Sequence, residues 1–315
     1  MSDINDVQPT SLSHLIGQEH AKKVIEVGLN YAFSENQPFP TPTLLLGPPG
    51  IGKTAFANVI AQEMCSSFTE TLAQSIQTPA DMHAVLLGAR DKDVVFLDEC
   101  HELDKKLQTL LYLAIDKRRI VVNGSGQSPQ SIPIADFTLL LATTDPQRLL
   151  QPLKDRSKVI INCDYYEPEE LAQIVWHRSR ALGWDVHEAV LPLIAQRSRG
   201  TPRIALRLLN SCWRCCRSEG EKNVEIKHLE QACQLEKIDE IGLDSTERRY
   251  LMALGKGPTR LGVMACILGL ESRAVSHHVE PFLLRSGLVV KDKNGLRELT
   301  QQGYEYLSQS RPETD

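Results

Sequence analysis

No apolar run in the sequence reaches the roughly 18–20 residues needed to cross a bilayer, so a membrane-spanning helix is not expected. No sign of charge dominates either. Lys and Arg total 35 against 40 Asp and Glu, a formal net charge of -5. A global basic field is therefore lacking, and any nucleic-acid contact must come from a local patch. The polar, acidic start Met1-Ser2-Asp3-Ile4-Asn5-Asp6 lacks the pattern of a secretory signal, so a cytoplasmic protein is expected. Internal repeats and low-complexity segments are lacking too. The eight cysteines are scattered, and only Cys212, Cys215 and Cys216 cluster. No second pair or histidine nearby has zinc-site spacing, which favours buried reduced thiols on a helix over a metal centre.

What is present is an ordinary globular composition, 42% hydrophobic and 24% charged over 315 residues. That length exceeds the ~100–200 residues of a common domain and predicts two or three. The first half alternates strand and helix signals. Thr43-Leu44-Leu45-Leu46, Val94-Val95-Phe96-Leu97 and Phe137-Thr138-Leu139-Leu140-Leu141 read as buried strands. Ala55–Glu63 and Glu102–Asp116 read as helices, which predicts a parallel sheet covered on both faces. From Pro168 to about Lys237 the pattern is helical throughout, broken once at Gly200-Thr201-Pro202-Arg203. Beyond it, helices are predicted over Ser245–Leu254, Leu261–Leu268 and Ser272–Ser286. A hairpin with Asn294-Gly295 at its turn follows, the order of a winged helix. The last six residues read as a frayed tail.

Gly47 to Thr54 satisfies G-x-x-x-x-G-K-[ST] at every fixed position, and it sits between a strand and a helix. Gly50 and Gly52 let the backbone approach phosphate, and the following helix N-terminus favours negative charge. Lys53 is placed to reach the β- and γ-phosphates and Thr54 to offer its hydroxyl to Mg²⁺. A hydrophobic strand ends at Asp98-Glu99, about 45 residues on: one carboxylate for the metal, one to polarise the attacking water. Thr143 and Thr144 end the third strand. Either could hold the lytic water or sense the γ-phosphate, or simply satisfy backbone. His101 follows as Asp-Glu-x-His, and its role is open.

With these motifs in order, the chain resembles the AAA+ ATPases and, within them, the RuvB family of Holliday-junction branch-migration motors. The likeness runs from about Val7 to Gly303. It rests on Leu15-Ile16-Gly17-Gln18-Glu19, Leu45 to Thr54, Phe96 to Leu103, Phe137 to Thr144, Pro152-Leu153-Lys154-Asp155-Arg156, Tyr165 to Leu171, Arg197 to Ala205, and Glu280 to Leu288. The resemblance implies an α/β AAA+ domain over 1–166, a small all-α lid over 167–237 and a winged-helix DNA-binding head over 238–315. It implies an ATP hydrolase using Mg²⁺, with Arg156 reaching a neighbour's γ-phosphate and Arg203 contacting nucleotide in its own subunit. Val7, Gln8, Ile16, Tyr166 and Pro202 would frame the adenine, Ala55 would join the nucleotide contacts, and Asp116 would contribute across the interface. It further implies a hexameric ring around duplex DNA, a RuvA-like partner, and phosphate contacts from Lys291, Lys293 and Arg297.

The sequence departs from the family pattern in five places. Gln8-Pro9 stands for Arg-Pro, Ser157-Lys158 for Phe-Gly, and Asp116-Lys117 for an acidic pair. The segment Gly124 to Ser131 lacks the arginine expected in the hairpin that meets RuvA. The family's second basic wing position falls on Leu296, one residue from Arg297, and a one-residue slip on a strand faces the other side. A nucleotide-dependent remodeller or loader of a protein partner is the competing reading, and the wing is equally consistent with a solvated turn.

Overall fold

The computed structural model describes residues 9–122 and 130–309. Val7, Gln8, the tip of the predicted hairpin at 124–129 and the last six residues lie outside the described residues.

Five strands form one parallel sheet: β1 (Thr43–Leu46), β2 (Phe68–Leu72), β3 (Val94–Asp98), β6 (Thr138–Thr143) and β7 (Val159–Asn162), in the order β2-β3-β6-β1-β7. The three predicted strands are its centre. They read as continuous apolar runs because both faces are covered. Leu44, Val95, Leu97, Leu139 and Leu141 pack with α3 (Pro79–Gly88) and α4 (Lys105–Lys117). On the opposite face lie α1 (Glu19–Ser34) and α2 (Lys53–Glu63). Register pairs Leu46 with Thr143 and Leu97 with Leu141. The ends of β1, β3 and β6 are thereby brought to one edge, with adjacent strands about 4.8 Å apart.

The edge strands β2 and β7 are not expected from the sequence. Both are half-exposed: β2 reads Phe-Thr-Glu-Thr-Leu, with no apolar run, and β7 is a short Val-Ile-Ile run of which only Ile161 is buried. The helix expected from Glu102 starts at Lys105 instead. Asp104 caps it by accepting from Lys106 N, and Glu102 sits in the short turn Cys100–Glu102. A two-stranded antiparallel ribbon, β4 (Arg119–Val122) with β5 (Gln130–Pro133), follows α4. The helix α5 (Gln151–Asp155) comes after β6, and α6 (Pro168–Ala181) starts with proline in its first turn as expected.

The chain divides into two compact units, residues 1–183 with 200–206, and 184–199 with 207–315. The second holds α7 (Val190–Arg197), α9 (Ile226–Glu236) and most of α8 (Pro202–Ser218). The expected purely helical stretch is corrected here. β8 (Asp185–Val186) and β9 (Asn223–Val224) form a short parallel pair. Cys212, Cys215 and Cys216 are buried on α8, and burial raises each thiol's pKa. Cys216 Sγ donates to Asn223 O. Protonated, buried thiols of this kind are unreactive.

The C-terminal part of this unit has its own core, including Tyr250, Leu254, Met264, Val275 and Leu283. α10 (Ser245–Leu254) and α11 (Leu261–Leu268) match their predicted bounds. The predicted helix Ser272–Ser286 is interrupted: α12 (Ser272–Ala274), a π turn over Val275–Val279, then α13 (Glu280–Arg285). Pro281 cannot donate to the preceding turn and crowds its carbonyls, so that turn widens. The hairpin β11 (Val289–Lys291) and β12 (Leu296–Leu299) is joined by β10 (Thr259–Arg260), and α14 (Gln301–Gln309) follows.

Arg297 is corrected by this geometry. Only 6% exposed, it points inward, where Nε meets Glu280 Oε1 at 2.8 Å and a terminal nitrogen meets Oε2 at 3.1 Å. Tyr250 donates to the same carboxylate at 2.9 Å. The guanidinium, expected among the wing's phosphate contacts, is held instead by the core. Arg297→Ala strands a buried carboxylate, and loss of one partner of such a pair costs about 3–5 kcal/mol. The expected result in urea is an early unfolding transition of the C-terminal unit. An unchanged midpoint would contradict the structural role.

Candidate functional site: a phosphate loop facing two strand ends

The loop from Gly47 to Gly52 leaves β1 and turns into α2. Gly52 (φ +100°) caps the helix in a left-handed conformation that a side chain rarely adopts. At Gly50 (φ +76°) a Cβ would lie 2.9 Å from Arg203 Cβ and 3.0 Å from Thr201 Cγ2. The loop is thus closed on one side by the Gly200–Arg203 segment, whose Arg203 N donates to Gly50 O at 3.2 Å. Arg203 is the second residue of α8, and its charge is felt at both Lys53 and Asp98.

Lys53 is 6% exposed, and Nζ donates to the carbonyls of Gly47 and Pro48, each at 3.0 Å. Burial lowers its pKa, while Glu99 and Asp98 oppose that shift. A buried ammonium held by two loop carbonyls is poised to exchange them for phosphate oxygens. Thr54 and Ala55 follow in the first turn of α2, both half-buried.

Asp98 ends β3, and burial raises its carboxyl pKa, with Glu99 adding to the shift and the Glu99 N–H opposing it. That N–H donates to Asp98 Oδ1 at 2.9 Å. Glu99 adopts φ +48°, a left-handed conformation costing about 1–3 kcal/mol in a residue with a side chain. Its Oε2 accepts from Thr144 N at 3.2 Å and Thr144 Oγ1 at 2.9 Å. Of the two threonines, Thr144 therefore contacts the carboxylate directly. Thr143 is buried, accepts from Asp145 N at 3.0 Å and contacts His101 Nδ1 at 2.9 Å. A cavity of about 290 Å³ opens beside Asp98, Glu99 and Thr144, floored by Leu72, Ala73 and Gln74 at the end of β2.

Ile16, half-buried, sits in the loop before α1. The next residues of that loop are tied down by Gln18, whose Oε1 accepts from Asp164 N at 3.0 Å and whose Nε2 donates to Asp164 O at 2.5 Å. Tyr166, 7% exposed, donates its N–H to Gly200 O at 3.0 Å. The Gln18 clasp has no chemistry of its own in the sequence, which is why only the folded chain reveals it.

Arg156 stands apart. It caps the C-terminus of α5, exposed, with Nε 2.5 Å from Asp116 Oδ2, one terminal nitrogen 3.1 Å from Pro152 O, and its guanidinium 4.7 Å from the Tyr112 ring centroid. Asp116 raises its pKa further, so the charge is permanent. Lys291 and Lys293 are exposed on the wing, unlike Arg297.

Elsewhere, Glu219, Glu221 and His228 gather ligand atoms within 4.8 Å of one another. His228 Nδ1 accepts from Glu225 N at 2.9 Å, so Nε2 carries the proton and faces the two carboxylates. Lys227 shares them. Lys227 and the two carboxylates form an ion-pair cluster beside the start of α9, and the His228 ring, with Nδ1 accepting and Nε2 protonated, has no lone pair to offer a metal.

Comparison with known proteins agrees with this geometry. A family model described as the Holliday junction DNA helicase RuvB P-loop domain matches residues 7–163, the RuvB AAA lid domain matches 166–239, and the RuvB C-terminal winged helix domain matches 240–308. The RuvB 2 subunit of a Synechococcus species is 36% identical over 96% of this chain and 83% of its own length. The RuvB subunit of Kosmotoga olearia is 34% identical over 97% and 91%. Both are named Holliday junction branch migration complex subunits. The solved structure of the Thermotoga maritima RuvB branch migration motor, 32% identical, superposes with TM-score 0.81 over 97% of this chain and 99% of that one. A point mutant of the same protein reaches 0.84. Among the described residues no helix is long and apolar enough to cross a membrane. A parallel sheet carrying an intact phosphate loop, followed by segments matching the lid and winged-helix models, places the chain in the RuvB family of AAA+ P-loop ATPases.

Proposed function

We propose that the chain is an ATP-driven motor that migrates four-way DNA junctions, working as a hexameric ring with a RuvA-like partner. The observation that carries this is the split of the site. Gly47–Thr54, Asp98, Glu99, Thr144 and Arg203 belong to one sheet edge and its covering segment, while Arg156 is exposed on α5 and held by Asp116. A site with all its parts but one is suited to completion by a second subunit. The proposed domains are 1–166, 167–237 and 238–315.

In this reading Gly47, Gly50, Gly52 and Ala55 offer backbone to the phosphates, and Lys53 takes the β- and γ-phosphate oxygens. Val7, Gln8, Ile16 and Tyr166 frame the base, and Pro202 packs near it. Glu99 holds the attacking water, with Thr144 fixing the carboxylate. Arg203 contacts the nucleotide from the lid, the neighbour's Arg156 meets charge developing on the γ-phosphate, and Asp116 contributes across that interface. Thr54 and Asp98 offer hard oxygen donors, the chemistry Mg²⁺ selects. That ion, when bound, neutralises phosphate charge.

The test is ATP turnover and assembly with and without four-way junction DNA, alone and with a RuvA-type protein. Stimulation or ring assembly by the junction is expected. If junction DNA changes neither, the motor reading is lost, and action on a protein partner takes its place. On the wing, Lys291 and Lys293 are the remaining candidates for phosphate contact. Lys291→Ala should weaken binding equally across DNA sequences and lower the slope of log affinity against log salt by about 1. An unchanged slope would remove Lys291 from the DNA.

A further inference from the structure

His101 lies beside the Asp98-Glu99 strand end, and its chemistry is unassigned. The side chain is 9% exposed. Nδ1 lies 2.9 Å from Thr143 Oγ1 and 3.2 Å from Glu99 Oε2. Nε2 lies 3.0 Å from Glu102 Oε1, the oxygen that also receives Arg148 at 2.6 Å. Each ring nitrogen thus faces a carboxylate oxygen, which can only accept. The ring spans the two carboxylates, with the Thr143 hydroxyl beside Nδ1.

The contacts on Glu99 are one-sided. Thr144 N, Thr144 Oγ1 and His101 Nδ1 all converge on Oε2. Oε1 takes no part in them. A carboxylate gripped by one oxygen cannot rotate freely, and its other oxygen is presented in a fixed direction. His101 is itself fixed by the chain Arg148–Glu102–Nε2, which reaches from the turn after β6 to the turn after β3. Thr144 alone would tether Oε2 from the β6 side. The ring adds a second tether from the β3 side.

We propose that His101 is the positioning residue for Glu99: it holds Oε2 through Nδ1 so that Oε1 faces the attacking water, and Glu102 with Arg148 holds the ring. This rests on the reading of Glu99 as the group that polarises that water. Among the described residues, the polar contacts of His101 go to Glu99, Glu102 and Thr143 and not to the phosphate loop, so it should act on turnover and leave ATP affinity alone.

The experiment compares the full-length chain with His101→Ala, His101→Asn and His101→Gln, measuring kcat and KM for ATP together with the melting temperature. Asn places its amide nitrogen near the position of Nδ1, and Gln near that of Nε2. Misplacing a catalytic group by about 1 Å can cost roughly 10²-fold in rate. His101→Ala should therefore lose kcat on that order with KM within about twofold of the parent. His101→Asn should recover most of the loss, and His101→Gln little. Should the alanine variant also melt early, the Asn and Gln pair decides, because a purely structural filler would treat them alike. Parent kcat in His101→Ala, or equal rescue by Asn and Gln, overturns the proposal. Glu99→Gln is run beside them. If it turns over at the parent rate, the reading of Glu99 itself fails. If it is inactive while all three His101 variants match the parent, only the positioning role fails.

Discussion

Glu99→Gln should leave ATP bound and turnover about 10²–10⁴-fold slower, the range over which a positioned general base acts. The amide keeps the shape of the side chain, and its oxygen can still accept from Thr144 N and Oγ1, which contact Oε2 in the parent at 3.2 and 2.9 Å. The left-handed turn at Glu99 and the Asp98 contact to its N–H are backbone features that the change does not touch. Lys53 and the loop glycines are unaltered, so nucleotide affinity should stay within a fewfold. What is removed is the negative charge that draws a proton from water. Retention of labelled ATP through gel filtration, with single-turnover hydrolysis measured on the retained fraction, separates the two effects. Hydrolysis at the parent rate would take Glu99 out of the chemistry.

Arg156→Ala should be as severe for a different reason. A guanidinium delivered to the transferring phosphoryl group is worth about 10³–10⁵ in rate. In the single chain this side chain is occupied by Asp116, Pro152 O and the face of Tyr112. Exposed ion pairs are weak, so the hold is easily released when a better anion is offered. The alanine variant should bind ATP as the parent does and fail to turn it over. Normal turnover would mean that the exposed Arg156 serves only its own subunit's Asp116, Pro152 and Tyr112.

The parts of the site that were legible in the sequence are those whose chemistry is local. A phosphate loop needs its glycines, lysine and threonine in one short run, so Gly47–Thr54 is readable without a fold. Asp98-Glu99 and Thr143-Thr144 were legible because a buried parallel strand is apolar until it ends. The edge strand β2 lacks that burial and carries no comparable signal, while β7 offers only the three-residue run Val159-Ile160-Ile161, of which Ile161 alone is buried. The wing shows the limit of reading charge alone. Lys291, Lys293 and Arg297 look equivalent as a basic cluster, yet register turns Arg297 inward onto Glu280 and leaves the lysines outside. His101 shows a second limit. Its partners include Thr143, 42 residues away, and Glu102, whose own role depends on Arg148. The short motif Asp-Glu-x-His names the residue, but only the alignment of β3 with β6 brings it to Thr143. Pro281 was visible throughout, and its effect was a widened turn rather than a break because the flanking residues Val275 and Leu283 are anchored in the core.

The central claim is that one chain holds an incomplete active site that a neighbour completes, and one mixing measurement tests it most directly. Lys53→Ala removes the phosphate contact but leaves Arg156, and Arg156→Ala removes the finger but leaves the phosphate loop. Each alone should be inactive. Mixed, every interface that pairs the phosphate loop of an Arg156→Ala subunit with the arginine of a Lys53→Ala subunit is whole. ATP hydrolysis should therefore appear on mixing and peak near equal proportions. Silence at every ratio, with co-assembly of the two variants demonstrated, would contradict a shared site.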